Sequence, residues 1–139
     1  MKFLAYAIVG WAAEIVWTAS YALVRSLRAR TPIDRTLAGR TYLWMFPIYG
    51  AGGLAFERAH ALIAAWPWVA RGGVYMIGCF VIEAIAGALI QALTGKIPWD
   101  YSYARWNVKG LIRLDYVPVW FAFGFVLEAA ERFIAPLAR

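Results

Sequence analysis

A chain of 139 residues with 63% hydrophobic side chains and a mean hydropathy of +0.60 has too little polar surface to close around an ordinary soluble core, which implies an integral membrane protein. At this length a single polytopic domain, 1–139, is expected, with no room for a soluble module. The net charge of +6 does not argue for nucleic acid, because the basic residues flank apolar stretches; membrane lipids, and anionic headgroups at the basic loops, are the expected partners.

Four apolar segments follow in chain order, near 3–24, 42–64, 72–94 and 116–135, each about the length a bilayer-spanning helix requires. The first has the outline of a signal peptide after Lys2. It is too long for a cleavable apolar region, contains Glu14 and meets Arg25, Arg28 and Arg30 without a small-residue cleavage site, so it is expected to be retained. Arg35 and Arg40 complete a basic loop before the second segment. Trp66 and Trp68 then bracket Pro67 as an aromatic belt at a membrane interface. The third segment holds the only cysteine, Cys79, which excludes an intrachain disulfide and reads as a small packing residue.

The stretch from Ile97 to Asp115 has too many charges to cross a bilayer and too many aromatics for a free linker. It is expected in the interface or dipping into the bundle mouth, with Trp99, Tyr101, Tyr103 and Trp106 at headgroup depth. Lys96, Arg105, Lys109 and Arg113 fall in this second long loop, while Lys2, Arg58, Arg71, Arg132 and Arg139 remain for the other side. The positive-inside rule therefore puts loops 25–41 and 95–115 in the cytoplasm and both termini opposite.

In each segment a glutamate stands one helical turn after a small residue: Gly10 and Glu14, Gly53 and Glu57, Cys79 and Glu83, Gly124 and Glu128. Positions i and i+4 share a helix face, so the carboxylates are expected to point inward at a common depth. The spacing also repeats. Tyr6, Gly10, Trp11 and Glu14 recur as Tyr75, Cys79, Phe80 and Glu83, while Pro47, Tyr49, Gly53 and Glu57 recur as Pro118, Trp120, Gly124 and Glu128. This predicts an internal duplication with half-repeats of about 1–70 and 71–139. The fold class is then all-α: four transmembrane helices as two tandem hairpins, with an interfacial aromatic-basic loop before the last helix. A pseudo-two-fold along the membrane normal pairs Glu14 with Glu83 and Glu57 with Glu128.

Ionised carboxylates buried together repel, so such a set is not expected to be fully ionised unless a cation sits among them. That is the chemistry of a small-cation, proton or cationic-amphiphile site. The candidate ligands are Glu14, Glu57, Glu83, Glu128, Asp100, Tyr101, Tyr49, Asn107, Trp99 and Arg58. Glu57 and His60 have the i, i+3 spacing of carboxylate metal sites, although this chain has one histidine where dinuclear sites use two. Glutamates that merely hydrogen-bond between helices stand as the alternative, with Arg132 one turn after Glu128 as a ready neutraliser. No nucleophile motif surrounds Ser20, Ser26 or Ser102. A membrane-embedded enzyme acting on a lipid headgroup, with Asp100 or a core glutamate as acid or base, and a structural or assembly subunit both stay open, as does homo-oligomerisation.

The block Trp99-Asp100-Tyr101-Ser102, then Asn107-x-x-Gly110-x-Ile112-x-Leu114, then Trp120, Gly124 and Glu128, resembles the bacterial domain labelled putative type IV ABC transporter. It is also similar to vertebrate transmembrane protein 229, where Gly10, Glu14, Tyr49-Gly50, Glu57-Arg58 and Glu83 find matching positions. The resemblance implies a small polytopic membrane protein and supplies no reaction, substrate or cofactor. A P-loop needs a glycine-rich turn ending in Gly-Lys-Ser/Thr. The nearest string, Thr94-Gly95-Lys96-Ile97, lacks the first glycine and the hydroxyl, so no ATP site is expected here and the chain reads at most as a permease-like part.

Overall fold

A computed structural model describes residues 1–138. Four helices account for most of it: α1 (Lys2–Ala29), α2 (Met45–Ile63), α3 (Trp68–Thr94) and α4 (Val117–Ile134). Local chemistry sets the ends. Arg30 turns left-handed (φ 54°) after α1, and the following Thr31 N–H reaches back to the Ser26 carbonyl. Pro67 precedes α3, Gly95 ends it at φ 74°, and Pro118 sits in the first turn of α4, where its missing N–H has no intrahelical partner to lose.

Helices α1 and α3 are long and apolar enough to cross a membrane. They extend to about 42 and 40 Å at 1.5 Å per residue, beyond a hydrocarbon core of about 30 Å. Helices α2 and α4, of 19 and 18 residues, miss that composition because their C-terminal halves carry Glu57, Arg58 and His60, and Glu128, Glu131 and Arg132. The apolar window of α1 is only 6% buried and that of α3 only 22%, so most of their apolar surface is not covered by the rest of the chain. Ile77, Val81, Ile85, Leu89 and Leu93 form an outward stripe on α3, one helical turn apart. No charged or polar residue is buried among the described residues.

Each consecutive helix pair packs as a hairpin, α1 on α2 and α3 on α4. Five glycines, Gly10, Gly50, Gly53, Gly72 and Gly124, let the backbones approach, each covered by an aromatic ring of the partner helix. A Cβ on Gly53 would collide with the Tyr6 ring, one on Gly10 with Tyr49 and one on Gly124 with Tyr75. Where Phe3 packs on Gly50 in the first hairpin, Phe121 packs on Gly72 in the second, the large and small partners having exchanged helices. Phe56, Ile63 and Tyr75 form the buried centre, with Val74, Phe125 and Leu127 against it.

The loop before α4 carries a strand pair of its own. Strands β1 (Asn107–Val108) and β2 (Ile112–Arg113) make a small antiparallel hairpin. Its turn places Lys109 at φ 53° and Gly110 at φ 71°, the left-handed pair that matches strand twist. Trp99 and Tyr101 turn inward, whereas Tyr103 and Trp106 stay exposed at 71% and 60%.

Candidate functional site

Each Gly-x-x-x-Glu spacing has a specific use in this fold. The tyrosine ring seated on the glycine lies along the helix for about one turn, ~5.4 Å, which carries its hydroxyl to the glutamate. Thus Tyr6 donates to Glu57 Oε1 at 2.9 Å and Tyr75 donates to Glu128 Oε1 at 2.6 Å. Each carboxylate also meets one cation from the start of the partner helix. Lys2 Nζ is 3.0 Å from Glu57 Oε2, and the Arg71 guanidinium straddles Glu128 at 2.8 and 3.3 Å. Lys2 stands four residues before Tyr6 as Arg71 stands four before Tyr75, so the two hairpins carry the same basic, tyrosine and glutamate triad. Arg71, not Arg132, is therefore the partner of Glu128.

Glu14 and Glu83 differ in kind. Thr41 donates to Glu14 Oε2 at 2.6 Å, with Tyr49 beside the same carboxylate as a further hydrogen-bonding partner. Tyr101 donates to Glu83 Oε1 at 2.9 Å and Trp120 to Oε2 at 3.3 Å. Every donor is neutral. Among the described residues neither carboxylate has a Lys, Arg or His partner. Tyr49 also lies within electrostatic range of Glu83 and Cys79, which links the two hairpins at this level.

The four carboxylates therefore form two layers, not one level. Glu14 lies twelve residues beyond Lys2, and Glu83 twelve beyond Arg71, in each case about 18 Å along the helix. One layer, at the end bearing the chain termini, is neutralised by cations; the other, deeper in α1 and α3, is held by hydroxyl and indole groups.

The loop motif supplies one of those groups. Gly110 N–H donates to Asn107 Oδ1 at 2.9 Å, Asn107 Nδ2 donates to the Ala104 carbonyl, and Tyr101 N–H donates to the Gly110 carbonyl at 2.9 Å. A Cβ on Gly110 would stand 2.7 Å from Ser102 Oγ and 2.8 Å from Asp100 Oδ1. Trp99 donates its indole N–H to the Leu111 carbonyl and packs over Gly87. Asn107, Trp99 and Gly110 thus build the knot that aims Tyr101 at Glu83. Burial and the adjacent Glu83 carboxylate raise the Tyr101 pKa, keeping its hydroxyl a donor.

Asp100 does not join the carboxylates. It is exposed and takes the Ser102 N–H at 2.8 Å, and the hydrogen bonds from Ser102 lower its pKa. Arg58 is exposed, with no hydrogen bond or ion pair among the described residues. Glu57 and His60 take different partners, since His60 Nδ1 is 2.6 Å from the Tyr75 hydroxyl. Among the described residues no three His, Cys, Asp or Glu side chains gather as a metal site.

Sequence spacing alone missed Lys2, Arg71, Thr41 and Trp120 as partners. The repeat contained the signal for the first two, because carrying its register back from Tyr6 and Tyr75 pairs Lys2 with Arg71. Thr41 lies in the loop before α2, where no helical period reaches it.

Apolar helix faces turned outward and polar side chains meeting between the helices define a mostly helical protein with two helices fit to cross a membrane. The chain belongs to the family described as putative ABC-transporter type IV, whose pattern matches residues 1–138. No solved structure matches it.

Proposed function

We propose that this chain is a permease-like membrane part in which all four helices span the bilayer as two duplicated hairpins, and that its Glu14 and Glu83 layer binds a proton or small cation. The observation that carries the reading is the absence of a counter-charge beside these two glutamates among the described residues, while neutral donors hold them in place. A carboxylate in an apolar surround without a cationic partner needs either a proton or a bound cation. The paired layer at the termini end is compensated by Lys2 and Arg71 and has no such requirement. Matching triads in the two hairpins support the duplication, and family membership supports a transport role. Loops 25–41 and 95–115 face the cytoplasm in this reading, where their arginines and lysines meet anionic headgroups.

The test is proton release on addition of Na+, K+ or a small organic ammonium to purified protein in weakly buffered detergent. Displacement of protons should occur in the parent and disappear in Glu14→Gln and Glu83→Gln, which keep shape and hydrogen bonds. Unchanged signals in both variants would leave the glutamates as a structural network.

A further inference from the structure

A second site lies at the opposite end from the aromatic loop. A cleft of about 500 Å³ opens among the C-terminal ends of α2 and α4 and the start of α3, lined by His60, Arg71, Glu128, Glu131 and Arg132. Hydrogen-bond directions fix what it presents. Tyr75 has one hydroxyl proton and gives it to the Glu128 carboxylate at 2.6 Å, so the 2.6 Å contact to His60 requires the proton on Nδ1. In the neutral ring Nε2 is then a lone pair, and it faces the Glu131 Oε2 acceptor at 3.9 Å. Two acceptors directed at each other call for a donor between them. Glu128 already accepts three hydrogen bonds from Arg71 and Tyr75, which leaves Glu131 as the cleft carboxylate without a hydrogen-bond donor among the described residues.

We infer that the cleft binds a zwitterion bearing a primary ammonium, whose N–H groups bridge His60 Nε2 and Glu131, while its oxyanion meets Arg132. Arms of about 2.8 Å from one nitrogen, the usual length for a charged N–H donor, span a 3.9 Å acceptor separation. Arg132 lines the same cleft with no hydrogen-bonded or ionic partner among the described residues. The surroundings are those of a headgroup. Trp66 and Trp68 are exposed beside the α2–α3 turn, and Leu62 and Phe133 are exposed at 81% and 78% on the two helices that frame the opening, an apolar rim for acyl chains. An ethanolamine phosphate headgroup has the required ammonium and oxyanion, as does free phosphoethanolamine. A choline headgroup lacks N–H donors altogether. The carboxylates facing His60 are Glu128 and Glu131 from α4; the Tyr75 hydroxyl meets it from α3, and Arg71 lines the same cleft on Glu128. None belongs to the Glu14 and Glu83 layer, so this inference and the proposed function can fail separately.

The experiment measures binding to delipidated protein by native mass spectrometry and thermal shift. Phosphatidylethanolamine, phosphatidylcholine and phosphatidylglycerol of identical acyl chains are compared, with soluble phosphoethanolamine as a fourth arm. Phosphatidylethanolamine should bind at least about tenfold tighter than phosphatidylcholine, the scale of one charge-assisted hydrogen bond. Glu131→Gln should erase that preference, and Arg132→Gln should weaken every phosphate ligand while leaving it. Protection by soluble phosphoethanolamine supports the zwitterion with a free source; protection by the lipid alone supports a bilayer source. Equal binding of the ethanolamine and choline lipids by the parent, or a preference that survives Glu131→Gln, overturns the inference, and the gap is then closed by an imidazolium proton. If Glu131→Gln does not fold, the ethanolamine-to-choline ratio in the parent decides.

Discussion

Gly124→Ala tests whether glycines in this bundle are seats for rings. Two effects oppose each other. Alanine gains about 1 kcal/mol over glycine in a helix interior. Against this, the new Cβ would overlap the Tyr75 ring, and Tyr75 cannot swing away without releasing the hydroxyl that bridges Glu128 and His60. Overpacking costs about 1–3 kcal/mol, and a lost hydrogen bond to a charged group about 1.5–3 kcal/mol, so a net destabilisation of roughly 1.5–5 kcal/mol is expected. Gly78 is the control, since nothing lies within 4 Å of a Cβ there; Gly78→Ala should be neutral or slightly stabilising. The assay is equilibrium unfolding of purified protein in mixed micelles. A cycle with Tyr75→Phe adds a second check: once the hydroxyl is gone, Gly124→Ala should cost only its overpacking, so the two changes should be less than additive. Equal stability of Gly124→Ala and Gly78→Ala, or strict additivity in the cycle, would refute the seat argument.

Gly110→Ala should disorder the loop, because a left-handed residue costs about 1–2 kcal/mol outside glycine and the new methyl would press on Asp100 and Ser102; faster amide exchange of Tyr101 and Leu111 is the readout, with the helices unchanged. Asp100 titrates below its ordinary value through its Ser102 hydrogen bonds, so its contribution is present above the unfolded pKa of ~3.9 and lost as pH falls through the lower folded value. Proteolysis of the 98–113 loop should accelerate in that acid range, and Asp100→Asn should flatten the dependence. In a Cys79→Ala background, cysteines at position 35 should resist impermeant thiol reagent in spheroplasts while cysteines at position 70 react; the reverse pattern would invert the proposed topology.

Much of the helical architecture was legible because long apolar segments have few ways to satisfy their backbone other than as helices. The apolar segments near 3–24, 42–64, 72–94 and 116–135 read directly as helices, and the glutamate register aligned Tyr6 with Tyr75 and Gly53 with Gly124 before any contact was known. The two-layer arrangement was not legible in the same way. Equal spacing from small residue to glutamate says that both share a face; it says nothing about whether the partner helix delivers its ring from above or below. Since Tyr6 and Tyr75 enter from α1 and α3 while Tyr49 enters from α2, the first two carry their hydroxyls to Glu57 and Glu128 and the third reaches Glu14. Arg113 was equally hidden. Read from sequence it is one positive charge of a basic loop, yet it grips Asp115 with two 2.7 Å contacts and lies 4.6 Å from the Tyr116 ring centre, fixing the loop to the start of α4.

The exchange of Phe3 and Gly50 for Gly72 and Phe121 shows what the packing constrains. Neither position needs a phenylalanine as such; the pair needs one ring and one absent side chain, from either helix. The polar contacts are less free to exchange in this way. In both hairpins the cation and tyrosine come from the earlier helix and the glutamate from the later one, because the cation must stand one turn before the tyrosine for both to reach the same carboxylate. Volume can be traded across a helix contact, whereas a carboxylate needs its donors at fixed heights. For that reason the repeated glutamates, and not the apolar residues between them, carry the register by which the two halves correspond.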